Sequence, residues 1–161
     1  MIGIMSDSHD NRTAIKQAVR LFKASQCSLV IHAGDFVAPF AAGELQSLDC
    51  PVHAVFGNCD GEKLGLKKIF KDLGDIREAP FIFKYQQLDI LLTHVHFNIE
   101  EYIRLHNPDV LVYGHTHRPK IHKKKQTLLI NPGETGGWVT GKSTVALLDT
   151  KIMQADIINL D

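Results

Sequence analysis

The stretch MIGIMSDSHDNRTAIKQAVRLFKASQCSLVIHAGD, residues 1–35, decides the fold. Residues 2–5 are a short apolar run that stops at polar Ser6-Asp7, the pattern of a buried strand. Ala14, Ile15, Ala18, Val19 and Phe22 then recur at helical spacing and predict an amphipathic helix. Leu29-Val30-Ile31 reads as the next buried strand. Outward from this unit, residues 36–48 predict a helix, 52–56 a third strand and 64–73 another helical stretch. Strand, helix, strand, helix, strand implies parallel strands with helices covering the sheet, hence an α/β chain.

The second half changes character. Residues 81–85 and 88–92 read as a hairpin around Gln86-Gln87, 99–105 as a short helix and 110–113 as a buried strand. Residues 119–122, 128–130, 143–148 and 152–158 are further strands closed by turns. This predicts a second, mostly antiparallel sheet packed on the first. With no repeat or low-complexity linker, residues 1–161 read as one domain.

Chemistry-bearing residues fall where strands end. Asp7-Ser8-His9 follows the first strand, Gly34-Asp35 the second and Gly57-Asn58-Cys59-Asp60 the third. Thr93-His94 closes the strand at 88–92, and Gly114-His115-Thr116-His117 the strand at 110–113. Ligands of α/β sheets bind beyond the carboxyl ends of the strands, so five strand ends direct Asp, His and Asn to one edge. In extended chain, Asp-x-His and His-x-His place both side chains on one side. Glycines 34, 57 and 114 are expected to let the backbone turn sharply there. The mixed oxygen and nitrogen donors suit manganese, iron or zinc better than calcium. His32, His53, His106 and His122 have no partner pattern and read as structural. His96 is open between a residue supporting His94 and a loop residue.

Charge and composition narrow the class. Lys plus Arg equals Asp plus Glu at 18 each, so the chain as a whole has no pull toward nucleic acid or membrane. The basic run Lys120 to Lys125 reads as a solvated hairpin turn. Cys27, Cys50 and Cys59 form no C-x-x-C pair, which argues against a disulfide framework and fits a reducing compartment. The opening run is too short for a signal peptide, and no stretch approaches a membrane span, so the cytoplasm is the expected location.

These motifs, in this order, resemble the calcineurin-like metallophosphoesterase superfamily, whose pattern runs D-x-H, G-D, G-N-H-[D/E], a strand-ending His, then G-H-x-H. Asn131-Pro132-Gly133 resembles a further turn of that family. The short length looks like the small YfcE-type bacterial and archaeal phosphodiesterases. The resemblance implies a two-sheet β-sandwich flanked by helices and a centre of two divalent ions. Manganese is the first expectation, with nickel, iron, zinc or magnesium as alternatives. It implies one ion on Asp7, His9 and His117, a second on Asn58, His94 and His115, and Asp35 bridging them with one carboxylate oxygen each. Asp35, Asn58 and His94 are then catalytic as well as ligands. The reaction implied is hydrolysis of a small phosphodiester by a hydroxide shared between the ions, with Asn58 neutralising phosphoryl charge and no covalent intermediate.

Two departures bear on that expectation. Cys59 stands where most of the superfamily has the His that protonates the leaving group, which predicts a bias toward diesters and good leaving groups. Val95 replaces a common Gly beside His94. Asp60 is expected to hydrogen-bond a ligand histidine. Asn11 and Arg12 lie near a helix N-terminus, either facing phosphate or as ordinary helix-start residues. The competing reading is an inactive scaffold of the same fold, like the related retromer subunit. All seven ligand positions carry competent residues here, which favours the enzyme. A small diester fits better than nucleic acid, and self-association is left open.

Overall fold

The computed structural model describes residues 1–160. The opening unit forms as its periodicity dictates: β1 (Ile2–Met5), α1 (Arg12–Ala24) and β2 (Leu29–His32), with the two strands parallel. The helix buries Ala14, Ile15, Ala18, Val19 and Phe22 against the sheet. Asn11 caps it, its side-chain oxygen accepting from the Ala14 amide at 3.2 Å, an interaction worth about 1 kcal/mol. Next come α2 (Pro39–Ala42), β3 (Val52–Val55), α3 (Lys63–Phe70) and β4 (Gly74–Arg77), with β2, β3 and β4 parallel.

The second half supplies β5 (Phe81–Tyr85), β6 (Leu88–Leu92), α4 (Ile99–His106), β7 (Val110–Val112), β8 (Lys120–Lys124), β9 (Thr127–Asn131), β10 (Thr144–Asp149) and β11 (Gln154–Asn159). Six strands form one sheet in the order β11-β10-β1-β2-β3-β4, and five form the other in the order β5-β6-β7-β9-β8. Between the sheets lies an apolar layer that includes Ile2, Ile4, Leu29 and Ile31 from one side and Ile90, Leu92, Val110 and Ile130 from the other. The helices at residues 12–70 cover the outer face of the first sheet, and α4 packs Ile103 on Leu91, Leu111 and Leu129 outside the second. The expected two-sheet sandwich flanked by helices is the observed architecture.

Several local expectations are corrected. Residues 36–48 hold only the four-residue α2 and a 3-10 turn, Gly43–Ser47, instead of one helix. Val37 is held at φ 83°, outside helical space, and Pro39 starts the new helix at its first turn. The strand β4 was not foreseen, because only Ile76 of its residues is buried and the apolar signal is absent. The second sheet is mixed: β6, β7 and β9 run parallel, with antiparallel partners only at its edges. β10 and β11 join the first sheet instead, β10 antiparallel to β1 and β11 antiparallel to β10. The lysine run at 120–124 is edge strand β8, with only Lys125 in a turn, at φ 54°. Charge on an edge strand discourages pairing with another chain.

Candidate metal centre

Each ligand-type residue sits just beyond a strand end. The first sheet delivers Asp7 and His9 after β1, Asp35 after β2 and Asn58 after β3. The second delivers His94 after β6 and both His115 and His117 after β7. All seven meet in two groups. In one, His9 Nε2 lies 3.9 Å from Asp7 Oδ1 and His117 Nε2 lies 3.4 Å from the same oxygen. In the other, Asn58 Oδ1 is 2.9 Å from His94 Nε2 and 2.9 Å from His115 Nδ1. Asp35 Oδ2 stands between them, 3.7 Å from His9 Nε2 and 3.4 Å from His94 Nε2. Its Oδ1 is engaged elsewhere, accepting from the Cys59 amide at 2.7 Å. A single oxygen of Asp35 therefore faces both groups, in place of the expected one oxygen each.

The backbone does not reach this arrangement by extended chain. Asp7, His9, Asp35, His115 and His117 all have positive φ, between 41° and 66°. Left-handed backbone costs a non-glycine residue roughly 1–2 kcal/mol, and Asp and His are among the residues that tolerate it best. The glycines also act differently from expectation. Of Gly34, Gly57 and Gly114, Gly34 alone has positive φ, at 94°. A Cβ on Gly57 would lie 2.1 Å from Asp35 Oδ1, and one on Gly114 2.0 Å from Ser6 Oγ, so these two are required for close approach.

Fixed partners orient each donor. Asp7 Oδ2 accepts from Ser6 Oγ at 2.6 Å and from the His115 amide at 3.1 Å, which leaves Oδ1 for the centre. His94 Nδ1 donates to the Ala33 carbonyl at 2.7 Å and His117 Nδ1 to Glu134 Oε2 at 3.0 Å. Glu134, fully buried, also accepts from the Val139 amide and from Thr140 Oγ1, at 3.0 and 2.6 Å. Asn131 donates to the Gly114 carbonyl and to Thr116 Oγ1, bracing the loop that carries His115 and His117.

His32, read as structural, stacks on Phe36 and reaches Ser8 Oγ at 3.0 Å. Its Nδ1 accepts from the Gly34 amide at 3.1 Å, so it joins the loops carrying Asp7 and Asp35. Asp60 does not bond a ligand histidine. Its carboxylate instead accepts from the amides of Asp35, Val37 and Gly57 at 3.0, 2.8 and 2.7 Å. Arg12 pairs with Glu44, and Asn11 caps its helix and donates to the Gly136 carbonyl, so both serve the helix start. His96 packs beside Phe97 and His115, with ring centroids 4.5 and 6.1 Å away.

The electrostatics separate the two carboxylates. Burial raises the pKa of Asp7 despite the Ser6 hydrogen bond and the nearby His94 and His117. Asp35 is driven the other way: burial opposes its charge, but hydrogen bonds from His94 and the Cys59 amide prevail and hold it well below the usual range. Burial disfavours charge on His94, yet the hydrogen bond and charge of Asp35 raise its pKa. Its Nε2 is thus left to a second proton or to a cation.

A cation fits better than any protein partner. Asp7 Oδ1 and His9 Nε2 are buried with no hydrogen-bond partner among the described residues, a state that costs several kcal/mol unless something binds there. Donors held at about 2.0–2.2 Å from one ion stand roughly 3–3.5 Å apart, close to the 2.9–3.9 Å separations within the two groups. Above the cluster opens a cavity of about 420 Å³, walled by Asn58, Cys59, Trp138 and Val139. Val95 is not part of its lining. Trp138, Glu134 and Asn131 carried little local signal; only the Asn-Pro-Gly turn at 131–133 marked their segment.

The sequence model of the calcineurin-like phosphoesterase superfamily domain matches residues 1–153. A phosphodiesterase of Methanocaldococcus jannaschii is 38% identical over 154 residues, spanning 93% of each chain. Phosphodiesterase YfcE of Escherichia coli is 28% identical over 169 residues, 96% of this chain and 90% of that one. The solved structure of an archaeal phosphodiesterase superposes with a TM-score of 0.93 at 36% identity, covering 98% of both chains. Zinc-bound Vps29 of Entamoeba histolytica shares the fold at a TM-score of 0.73 with 16% identity, over 99% of both chains. No helix among the described residues is long and apolar enough to cross a membrane.

Proposed function

The chain belongs to the calcineurin-like phosphoesterase superfamily, and from that premise we propose that this metal-dependent phosphoesterase hydrolyses small phosphodiesters at a centre of two divalent ions. The observation that carries the reading is the single oxygen of Asp35 shared by two converging donor groups. Asp7, His9 and His117 would hold one ion, Asn58, His94 and His115 the other, with Asp35 common to both. Two such ions lower the pKa of a shared water and neutralise phosphoryl charge. The mixed donor set suits manganese, iron or zinc better than calcium, with manganese the ion proposed, and the cytoplasm suits three free thiols.

The chain's own residues set the geometry and the selectivity. Ala33 and Glu134 hold His94 and His117 in the tautomers that present Nε2 inward. Asn58 uses its oxygen toward the cluster and keeps an amide N–H for a phosphoryl oxygen. Cys59 lines the cavity where a leaving group would depart. Burial and the charge of Asp35 push its thiol up to about 11, too weak an acid to assist efficiently at neutral pH. Esters whose leaving groups depart unaided, such as aryl diesters, are therefore the favoured substrates.

The test is to strip the protein of metal, restore manganese, and assay an aryl phosphodiester and the matching monoester beside Asp35→Asn. Manganese-dependent diester cleavage, lost in the variant, is the expected result. Two ions bound without turnover of any ester would instead favour the scaffold reading suggested by the shared fold of Vps29.

A further inference from the structure

Two large aromatic side chains stand uncovered at opposite ends of the metal centre. Trp138 is 66% exposed and Phe97 72% exposed. Trp138 belongs to the His9 end: its indole N–H donates to the His9 carbonyl at 3.0 Å, and its ring walls the cavity. Phe97 belongs to the other end, its ring centroid 6.1 Å from that of His115. The indole is not loose. Thr135 and Gly136 donate backbone N–H groups to the carbonyls of Ser6 and Asp7 at 2.8 and 3.0 Å, and Glu134 accepts from the Val139 amide. A tethered loop thus holds an apolar ring open to water beside the candidate centre, within reach of a ligand bound there.

A phosphodiester has two organic arms leaving phosphorus in different directions, whereas a monoester has one. We propose that Trp138 and Phe97 are paired stacking platforms that select phosphodiesters with a planar ring on each arm, the chemistry of a linear dinucleoside monophosphate. The inference rests on the reading of the centre as a phosphodiesterase site and names its substrate class. Ring stacking on an aromatic side chain tolerates any base, so the platforms select two flat arms without reading their identity. A cyclic mononucleotide, with one ring, engages one platform only.

The chain's single tryptophan makes this measurable without turnover. Metal-free and manganese-loaded protein are titrated with diphenyl phosphate and with dimethyl phosphate while Trp138 emission is followed. The ringed diester should perturb emission at concentrations roughly 5- to 150-fold lower than the ringless one. In turnover, bis(4-nitrophenyl) phosphate and methyl 4-nitrophenyl phosphate share a leaving group and differ in the other arm. Trp138→Ala and Phe97→Ala should each raise KM for the first several-fold more than KM for the second, a change in the ratio of the two constants that damage to the metal centre, which both esters share, would not produce. Trp138→Phe keeps the ring but loses the bond to His9, so it should restore KM if stacking is the cause. Equal fluorescence responses to the two phosphates, or a KM for the bis-aryl ester unchanged in both alanine variants, would overturn the proposal while leaving the phosphodiesterase reading intact. Absence of all turnover would sink that reading, and the fluorescence titration, repeated on Phe97→Ala, would still decide the platforms.

Discussion

Replacing Glu134 by Gln tests whether a residue outside the ligand set governs metal binding. In the native chain Glu134 Oε2 lies 3.0 Å from His117 Nδ1, which puts the ring proton on Nδ1 and leaves Nε2 facing Asp7 Oδ1 at 3.4 Å. Gln keeps an oxygen for Thr140 and Val139 but turns an NH2 group toward His117. That donor favours a lone pair on Nδ1 and moves the proton to Nε2, the atom proposed to hold an ion. Loss of such supporting bonds costs 10- to 100-fold in metal affinity, about 1.4–2.8 kcal/mol. The metal-free fold should lose less, about 1–2 kcal/mol, because the bonds to residues 139 and 140 become neutral instead of charge-assisted. Manganese affinity is read by competition with a chromogenic chelator, and metal-free stability by urea unfolding. An affinity within twofold of the parent, in a chain that folds normally, would refute the tautomer argument.

Two further outcomes follow from buried or displaced acids and bases. Cys59→His should speed hydrolysis of alkyl esters about 10- to 100-fold while changing aryl diesters little, since only poor leaving groups need a proton; parallel assays of the two ester types check this, and equal gains on both would count against the assignment. His32 is fully buried and burial holds its pKa well below the usual imidazole value. Below about pH 6.5 the unfolded chain binds a proton that the folded chain refuses, so stability falls as pH drops, by up to about 1.4 kcal/mol per unit. His32→Gln should remove that part of the acid sensitivity, measured as the variant-minus-parent difference in urea stability, with chelator present, at about pH 7.5 and about pH 5.5. A difference independent of pH would show that His32 is not held neutral.

The fold was legible wherever burial is periodic. The five buried residues of α1 and the buried strands β1, β2 and β3 stand out because one face or both faces must be apolar. Strand direction in the second sheet was not legible: β7 and β9 are short buried runs whose pattern is the same whether they pair parallel or antiparallel. The candidate centre was legible because seven ligand-type side chains crowd the ends of strands. How they converge was not. Extended backbone was the natural reading of Asp-x-His, yet Asp7 and His9 sit at φ 51° and 41°, a conformation no local pattern demands. Glu134 lies 17 residues beyond His117, and its role exists only after β9 and β10 bring the chain back. The same tertiary closure explains why Asp60 serves backbone amides rather than a histidine ring.

Four of the seven donors hang from the first sheet and three from the second. Deeper in the sandwich, apolar side chains clamp the layers together, but at the rim the facing groups are carboxylates and imidazoles that a bare chain can only crowd. Ions bound there would act as rivets between two plates. At free metal 1,000 times the dissociation constant, such a rivet adds about 4.1 kcal/mol to global unfolding and to any local opening that breaks the site. Metal loading should therefore slow amide exchange most in the loops after β1, β2, β3, β6 and β7 and scarcely alter the outer strands β11 and β8. The catalytic cations would double as the fastener that keeps the two layers in register, so that a chain starved of metal loses its grip on substrate and its mechanical closure together.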